Sequence, residues 1–232
     1  MFEIITNKTT CSNCGFISQA AKFLKEAELK ELALGTVDVS LKRGDKLFVE
    51  GLPHSHVIYL REGFVKVHMT GPNGRDQILK FARPGAYLGI QSLMGSEINR
   101  FSATALEKVR LCYINGNTFK NLIQTNASFS AEILTFLCKD ELNYFERFVS
   151  LQQKNNSGKL ADALLYFAGK VFKSDTFTLP LTYVDLAALS GTTRESITRL
   201  IKDFVKGGII EVNNREIRII DKAILTKISE NG

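Results

Sequence analysis

The stretch "LTYVDLAALSGTTRESITRLIKDFVKGGIIEVNNREIRIID", residues 181–221, constrains the fold more than any other part of the chain. Thr182 followed three residues later by Asp185 suits a helix N-terminus. Leu186, Ala187 and Leu189 give that short helix an apolar side, and Gly191 offers the turn to a second helix. Thr192 with Glu195 has the spacing of a capping box and opens the second helix. "GGIIEVNNREIRIID" then reads as a two-strand hairpin turning near Asn213-Asn214. Helix, turn, helix and hairpin make a winged helix-turn-helix.

At about 100° per residue the second helix separates into two faces. Ile197, Leu200, Ile201 and Phe204 fall together, with Val205 straying to the edge. Arg194, Glu195, Thr198, Arg199 and Lys202 share the opposite arc. Such a face can be a plain solvated surface, but its chemistry also fits DNA. Arg donates bidentately to guanine O6 and N7, Glu accepts from cytosine N4, and Thr and Lys reach phosphates or bases. With the hairpin following, DNA binding is the expected role, through Thr192, Thr193, Arg194, Glu195, Thr198, Arg199 and Lys202. The alternative is a ligand-binding module whose winged helix contacts protein.

Upstream the pattern changes. Nine glycines fall between Gly35 and Gly95, several in turn contexts such as "KRGD", "REG" and "GPNG". "HVIYLREGFVKVHMT" (56–70) alternates for much of its length, as half-buried strands do. A β domain of sandwich or barrel type is expected from about Val37 to Ile114. "SFSAEILTFLCKDELNYFERFVSL" is a long helix whose apolar surface is too wide for one docking face. Leu137, Tyr144 and Leu151 recur every seven residues, which predicts a dimer seam; an ordinary buried core helix is the other reading. "QQKNNSGK" (152–159) reads as a linker. The fold class is therefore α+β, in three regions: an N-terminal segment and β-roll effector domain (1–127), a dimerisation helix (128–151) and a winged helix-turn-helix (152–232).

The net charge of +6 suits a nucleic-acid partner, and residues 151–232 carry 12 Lys/Arg against 9 Asp/Glu. No apolar run reaches the roughly 18 residues a bilayer span needs. The N-terminus lacks the basic start and apolar core of a signal peptide, so a cytoplasmic protein with reduced thiols and no membrane contact is expected. There is no phosphate-loop signature, no GxSxG elbow and no HExxH, so the chain does not read as an enzyme.

The order of regions, together with "LSGTTRESITRLIKDFVKGGII", resembles the CRP/FNR family of bacterial transcription regulators over essentially the whole chain. The resemblance implies a jelly-roll-like cyclic-nucleotide-binding-type β domain, a homodimer on a near-palindromic TGTGA-type site, and RNA polymerase as a further partner. Its Arg-Glu-x-x-x-Arg reading pattern falls on Arg194, Glu195 and Arg199, with Thr193 and Thr198 alongside.

In the cAMP-binding branch an acidic residue holds the ribose and an Arg the cyclic phosphate. Here the matching segment is "RPGAYLGIQSLMGSEINRFSATALE". Gly85 and Gly89 keep the turns, but Ile90 stands at the acidic position and Phe101 at the Arg position, with Arg100 one residue early. Ile cannot accept a hydroxyl, and a one-residue slip turns Arg100 to the other face unless the loop shifts. Gly89, Ile90, Gln91, Ser92, Arg100 and Ser102 remain the effector-pocket candidates, cAMP is disfavoured, and the sequence names no effector.

"CSNC" at Cys11–Cys14 could hold a metal, form a redox pair or do neither. By resemblance to the FNR branch, Cys11, Cys14 and Cys112 match three of the four ligands of a [4Fe–4S] cluster, and one N-terminal cysteine is missing. Zinc would also need a fourth ligand, for which His54, His56 and His68 qualify by type only. Haem has no single His that commands the role. Cys138 is expected as a small buried residue in the long helix. Three thiols without metal, an Fe–S centre with an unusual fourth ligand, zinc and a redox pair all stay open.

Overall fold

The computed structural model describes Glu3, Ile4, Cys11 and residues 14–232. Ser12 and Asn13, the middle of the Cys-Ser-Asn-Cys quartet, lie outside the described residues, as does most of the segment read as lacking a signal peptide. In chain order the elements of the first part are β1 (Glu3–Ile4), a 3-10 turn (Ala20–Phe23), α1 (Glu26–Leu34), β2 (Thr36–Leu41), β3 (Lys46–Phe48), β4 (His56–Glu62), β5 (Val65–Thr70), β6 (Asp76–Ala82), β7 (Tyr87–Leu88), α2 (Ile90–Gly95), β8 (Ser102–Ala105), β9 (Val109–Asn115) and α3 (Gly116–Thr125). There follow α4 (Ala127–Gln153), α5 (Asn156–Tyr166), a π-helical extension (Phe167–Phe172), β10 (Thr176–Thr178), α6 (Tyr183–Ser190), α7 (Arg194–Lys206), β11 (Ile210–Asn213), β12 (Glu216–Ile219) and α8 (Lys222–Asn231). Contacts divide the chain into two units: Met1–Met69 with Phe81–Asn143, and Thr70–Lys80 with Tyr144–Gly232.

Two sheets build the β domain, in the orders β1-β2-β9-β4-β7 and β3-β8-β5-β6. Val39, Leu41, Ile58, Leu60, Leu88 and Leu111 from the first sheet meet Phe48, Val65, Val67, Ala103 and Ala105 from the second in one core. A second core, with Val57, Tyr87, Ile90, Leu93 and Ile114, packs under Phe119, Leu122, Phe129 and Ile133 of α3 and α4. Strand β4 therefore feeds both cores, Ile58 and Leu60 on one face and Val57 on the other. It is buried on both sides, and the expected half-buried alternation holds only at the start of β5, from Val65 to Val67. Between them Gly63 (φ 80°) turns the chain where a Cβ would meet the Lys108 carbonyl at 2.7 Å.

Helix α4 covers the expected long segment, but its apolar faces differ from the seven-residue pattern. Leu137 and Leu151 are half-buried, and Leu137 packs on the second core. The exposed apolar residues are Leu134, Leu142, Tyr144, Phe145, Phe148 and Val149. Cys138 is exposed on the same helix, not buried. The linker expected at 152–159 is helical at both ends and is interrupted at Lys154 and Asn155, where the Asn155 side chain accepts from Ser157 and Gly158 N–H groups to start α5.

The second unit is knit by α5, which packs on α8, α6 and α7, and by the three-stranded sheet β10-β12-β11. Leu160, Leu164, Phe167, Leu186, Ile197, Ile201 and Leu225 form its interior. Asp162 on α5 accepts hydrogen bonds from Ser150 Oγ (2.5 Å), Lys154 Nζ (2.7 Å) and Ser229 Oγ of α8. Asp162→Ala strands three donors at once and should lower stability by about 1–3 kcal/mol, read as an earlier thermal midpoint of the second unit.

Candidate nucleic-acid interface

Helix α6 begins with a reciprocal capping box. Thr182 Oγ1 accepts from the Asp185 N–H (3.1 Å) and Asp185 Oδ2 accepts from the Thr182 N–H (3.1 Å). Gly191 closes the helix in the left-handed region (φ 61°), as a C-terminal glycine does. The cap of α7 differs from expectation. Thr193, not Thr192, is the N-cap, and its Oγ1 accepts from Ser196 N–H at 3.2 Å, so the Thr192–Glu195 box does not form. Thr193 has the extended backbone (φ −100°, ψ 155°) that a cap residue needs.

Ile197, Leu200, Ile201 and Phe204 are buried, while Arg194, Glu195, Arg199 and Lys202 are exposed and Thr198 is half-buried. The Thr198 hydroxyl donates to the Arg194 carbonyl (2.8 Å), which fixes its rotamer beside the charged row. Arg194, Glu195, Thr198, Arg199 and Lys202 together line one open recess. None of the four charged side chains is in an ion pair among the described residues, so their donors and acceptors remain available. Strands β11 and β12 pair from Ile210↔Ile219 to Asn213↔Glu216, and Asn214 (φ 55°) makes the tip of the expected wing.

Two long-range residues escaped the sequence reading. Arg147 of α4 is half-buried and meets no carboxylate among the described residues. Instead it donates to the carbonyls of Leu79 (2.5 Å), Ile78 (2.5 Å) and Leu189 (2.6 Å). Burial brings its pKa down to about 10. Gln77 Nε2 donates to the Ala188 carbonyl (2.6 Å). The only sequence signal was an arginine inside the apolar run "FERFVSL".

The effector-pocket candidates differ in their surroundings. Ile90 is packed into the second core, Ser92 is buried with an unpartnered Oγ, and Gln91 and Arg100 are exposed. Ser102 Oγ accepts from the Glu50 N–H (3.0 Å). Gly89 (φ 86°) precedes α2, and a Cβ there would overlap the His54 ring at 2.4 Å. His54 thus packs on the glycine, and desolvation lowers its pKa. His56 is exposed at the start of β4, and His68 is buried in β5 near Thr104 Oγ1 (3.0 Å).

Cys11 and Cys112 pack against the second core, and the Cys14 N–H donates to the Cys11 carbonyl (3.4 Å). Burial raises the pKa of Cys11, and that of Cys112 to about 12. Arg61, buried in β4, offsets this in part; it pairs with Asp38 and lies 4.9 Å from the Phe16 ring centre. Among the described residues no group of three or more His, Cys, Asp or Glu side chains is arranged to hold a metal ion. The thiols as placed do not fit an Fe–S or zinc centre. No helix among the described residues is long and apolar enough to cross a membrane.

Comparison with known proteins matches both halves of the chain. The family described as "Cyclic nucleotide-binding domain" matches residues 38–126, and "Crp-like helix-turn-helix domain" matches residues 158–228. Among curated relatives, the nitrogen fixation regulation protein FixK of Bradyrhizobium diazoefficiens is 27% identical over 92% of this chain and 91% of its own length. The fumarate and nitrate reduction regulatory protein of Vibrio cholerae is 26% identical over 94% and 90%. Among solved structures, FixK2 from Bradyrhizobium japonicum superposes with a TM-score of 0.76 at 18% identity, covering 83% of this chain and 96% of that one. At that identity the superposition speaks for the fold alone.

Proposed function

The chain belongs to the CRP/FNR family of DNA-binding transcription regulators, which are not enzymes, and we propose that it acts as a homodimer on a near-palindromic TGTGA-type site. The observation that carries this reading is the row Arg194, Glu195, Thr198, Arg199 and Lys202, gathered on the open face of α7 with its four charged side chains in no ion pair among the described residues. An α-helix fits the B-DNA major groove, where donor forks read guanine and a carboxylate reads cytosine. Two copies of α7 related by a two-fold axis would meet half-sites roughly 34 Å apart, in successive turns of the major groove. The exposed apolar residues of α4 supply a surface for that axis. The signal is received in the β domain, with RNA polymerase the partner once DNA is bound. Burial of Ile90 leaves a cyclic nucleotide's ribose without its acidic acceptor, which speaks against cAMP.

The test is equilibrium binding to a TGTGA palindrome and to a scrambled duplex over a salt series. Affinity for both should fall steeply with salt, and the palindrome should bind roughly 10³-fold or more tightly at a fixed ionic strength. Equal affinity for the two duplexes would remove sequence reading. No salt-dependent binding to either would leave a winged helix that contacts protein.

A further inference from the structure

We infer that Arg147, with Gln77, is a positioning clasp that pins the C-terminal carbonyls of α6 to β6 and thereby sets the direction in which α7 is presented to DNA. The inference rests on the DNA-reading role proposed for α7.

The last turn of a helix leaves carbonyls without partners inside the helix. In α6 the Ala187 carbonyl is taken locally, by the N–H groups of Gly191 and Thr192. The next two are taken from far along the chain, Ala188 by Gln77 (2.6 Å) and Leu189 by Arg147 (2.6 Å). Arg147 also donates from Nη1 to Leu79 and from Nη2 to Ile78 of β6. One planar guanidinium, rooted in α4, therefore joins a strand to the end of the first helix of the helix-turn-helix.

A half-buried cation that meets three carbonyls and no carboxylate among the described residues, with Tyr144 and Tyr166 nearby, is a costly way to fill space, since desolvating the charge is offset chiefly by well-aligned hydrogen bonds. An apolar side chain of similar size would often stabilise as well or better. What the apolar residue cannot do is fix three carbonyls on two elements in one plane. The site is also electrostatically suited, because the C-terminal end of α6 is the negative end of its dipole. From Leu189 to the α7 cap at Thr193 the chain has only a Ser, the left-handed Gly191 and a Thr between them, so a displacement of Leu189 passes directly into α7. Gln77, Ile78 and Leu79, Arg147, and Ala188 and Leu189 all belong to the second unit, so the clasp is internal to it.

The test uses the full chain carrying Arg147→Met, Arg147→Lys or Gln77→Glu. Gln77 is only half-buried, so its replacement keeps the fold while turning a carboxylate toward the Ala188 carbonyl. Binding to a TGTGA palindrome and to a scrambled duplex is measured by fluorescence anisotropy, beside amide exchange at residues 189–193. Arg147→Met should cut the palindrome-to-scrambled ratio about tenfold and Gln77→Glu about threefold, with faster exchange at 189–193 and scrambled-DNA affinity unchanged. Arg147→Lys, which keeps the charge but not the fork, should recover part of the ratio. An unchanged ratio in Gln77→Glu and Arg147→Met, or parallel loss on both duplexes, would overturn the clasp. If the wild-type chain does not discriminate the duplexes, the DNA-reading proposal fails by itself, and exchange at 189–193 still decides whether the clasp orders the turn. Should Arg147→Met not fold, Gln77→Glu decides alone.

Discussion

A chain carrying Leu142→Asp and Phe145→Asp should sediment as a monomer at micromolar concentration and lose about 100-fold or more in affinity for a palindromic site. Leu142 is 61% exposed and Phe145 53%, on a helix whose polar neighbours give no reason for apolar side chains there. Leu134, Cys138, Leu142, Phe145 and Val149 step by four, four, three and four residues, which keeps them on one stripe of α4. Tyr144 and Phe148 widen it. Full burial of a large apolar side chain contributes on the order of 1.5–3 kcal/mol, and a two-fold seam counts every residue twice. Two aspartates per chain become four carboxylates facing one another, so the loss is larger than two truncations would give. Monomers still hold one α7 each, so binding to a single half-site should persist at its weak intrinsic level. Dimers that survive the double change would place the seam elsewhere; monomers that bind the palindrome as tightly as wild type would sink the two-fold reading.

The stripe also shows where sequence pattern ran out. A strict seven-residue repeat picked Leu137, Tyr144 and Leu151; Tyr144 is exposed, yet Leu137 and Leu151 are half-buried in the chain's own packing, one against the second core. Periodicity identifies a helix that is apolar all round but cannot say which side its own domain takes. The winged helix-turn-helix was legible because its cues are local: a reciprocal Thr182–Asp185 box, Gly191 at φ 61°, and a clean division of α7 into buried and exposed arcs. Even there the cap fell one residue late, since Thr192 and Thr193 offer the same hydroxyl and only the backbone at Thr193 aims it at Ser196. Arg147 and Gln77 were illegible for the opposite reason. Their partners stand 42 and 111 residues away, and nothing near either residue in sequence reports a carbonyl arriving from another element. His54 over Gly89 is the same case at shorter range.

Arg194→Ala and Arg199→Ala should each lower discrimination between the TGTGA palindrome and single-base variants by about 1–3 kcal/mol, while Lys202→Ala should weaken all duplexes alike and reduce the salt slope by about 1. The distinction follows from geometry and chemistry together. Both arginines carry a planar fork that matches the O6 and N7 edge of guanine, and both are exposed on the open arc of α7 without a carboxylate partner to compete. Removing one deletes an interaction that exists only with the right base, so loss concentrates at one position of each half-site. Lys202 lies two turns along the helix from the N-terminus, and its flexible point charge, placed against the phosphate backbone, would carry no sequence information. Glu195 is the sharper probe of register. It follows Arg194 at the N-terminal end of α7, where a carboxylate is favoured by the helix dipole, and it adds negative charge to a surface that otherwise attracts phosphate. Glu195→Gln should therefore tighten binding to scrambled DNA while loosening the requirement for cytosine opposite it, a combination that general electrostatics cannot produce. If all four substitutions shift palindrome and scrambled affinities by the same factor, α7 binds backbone only and its charged face does not read bases.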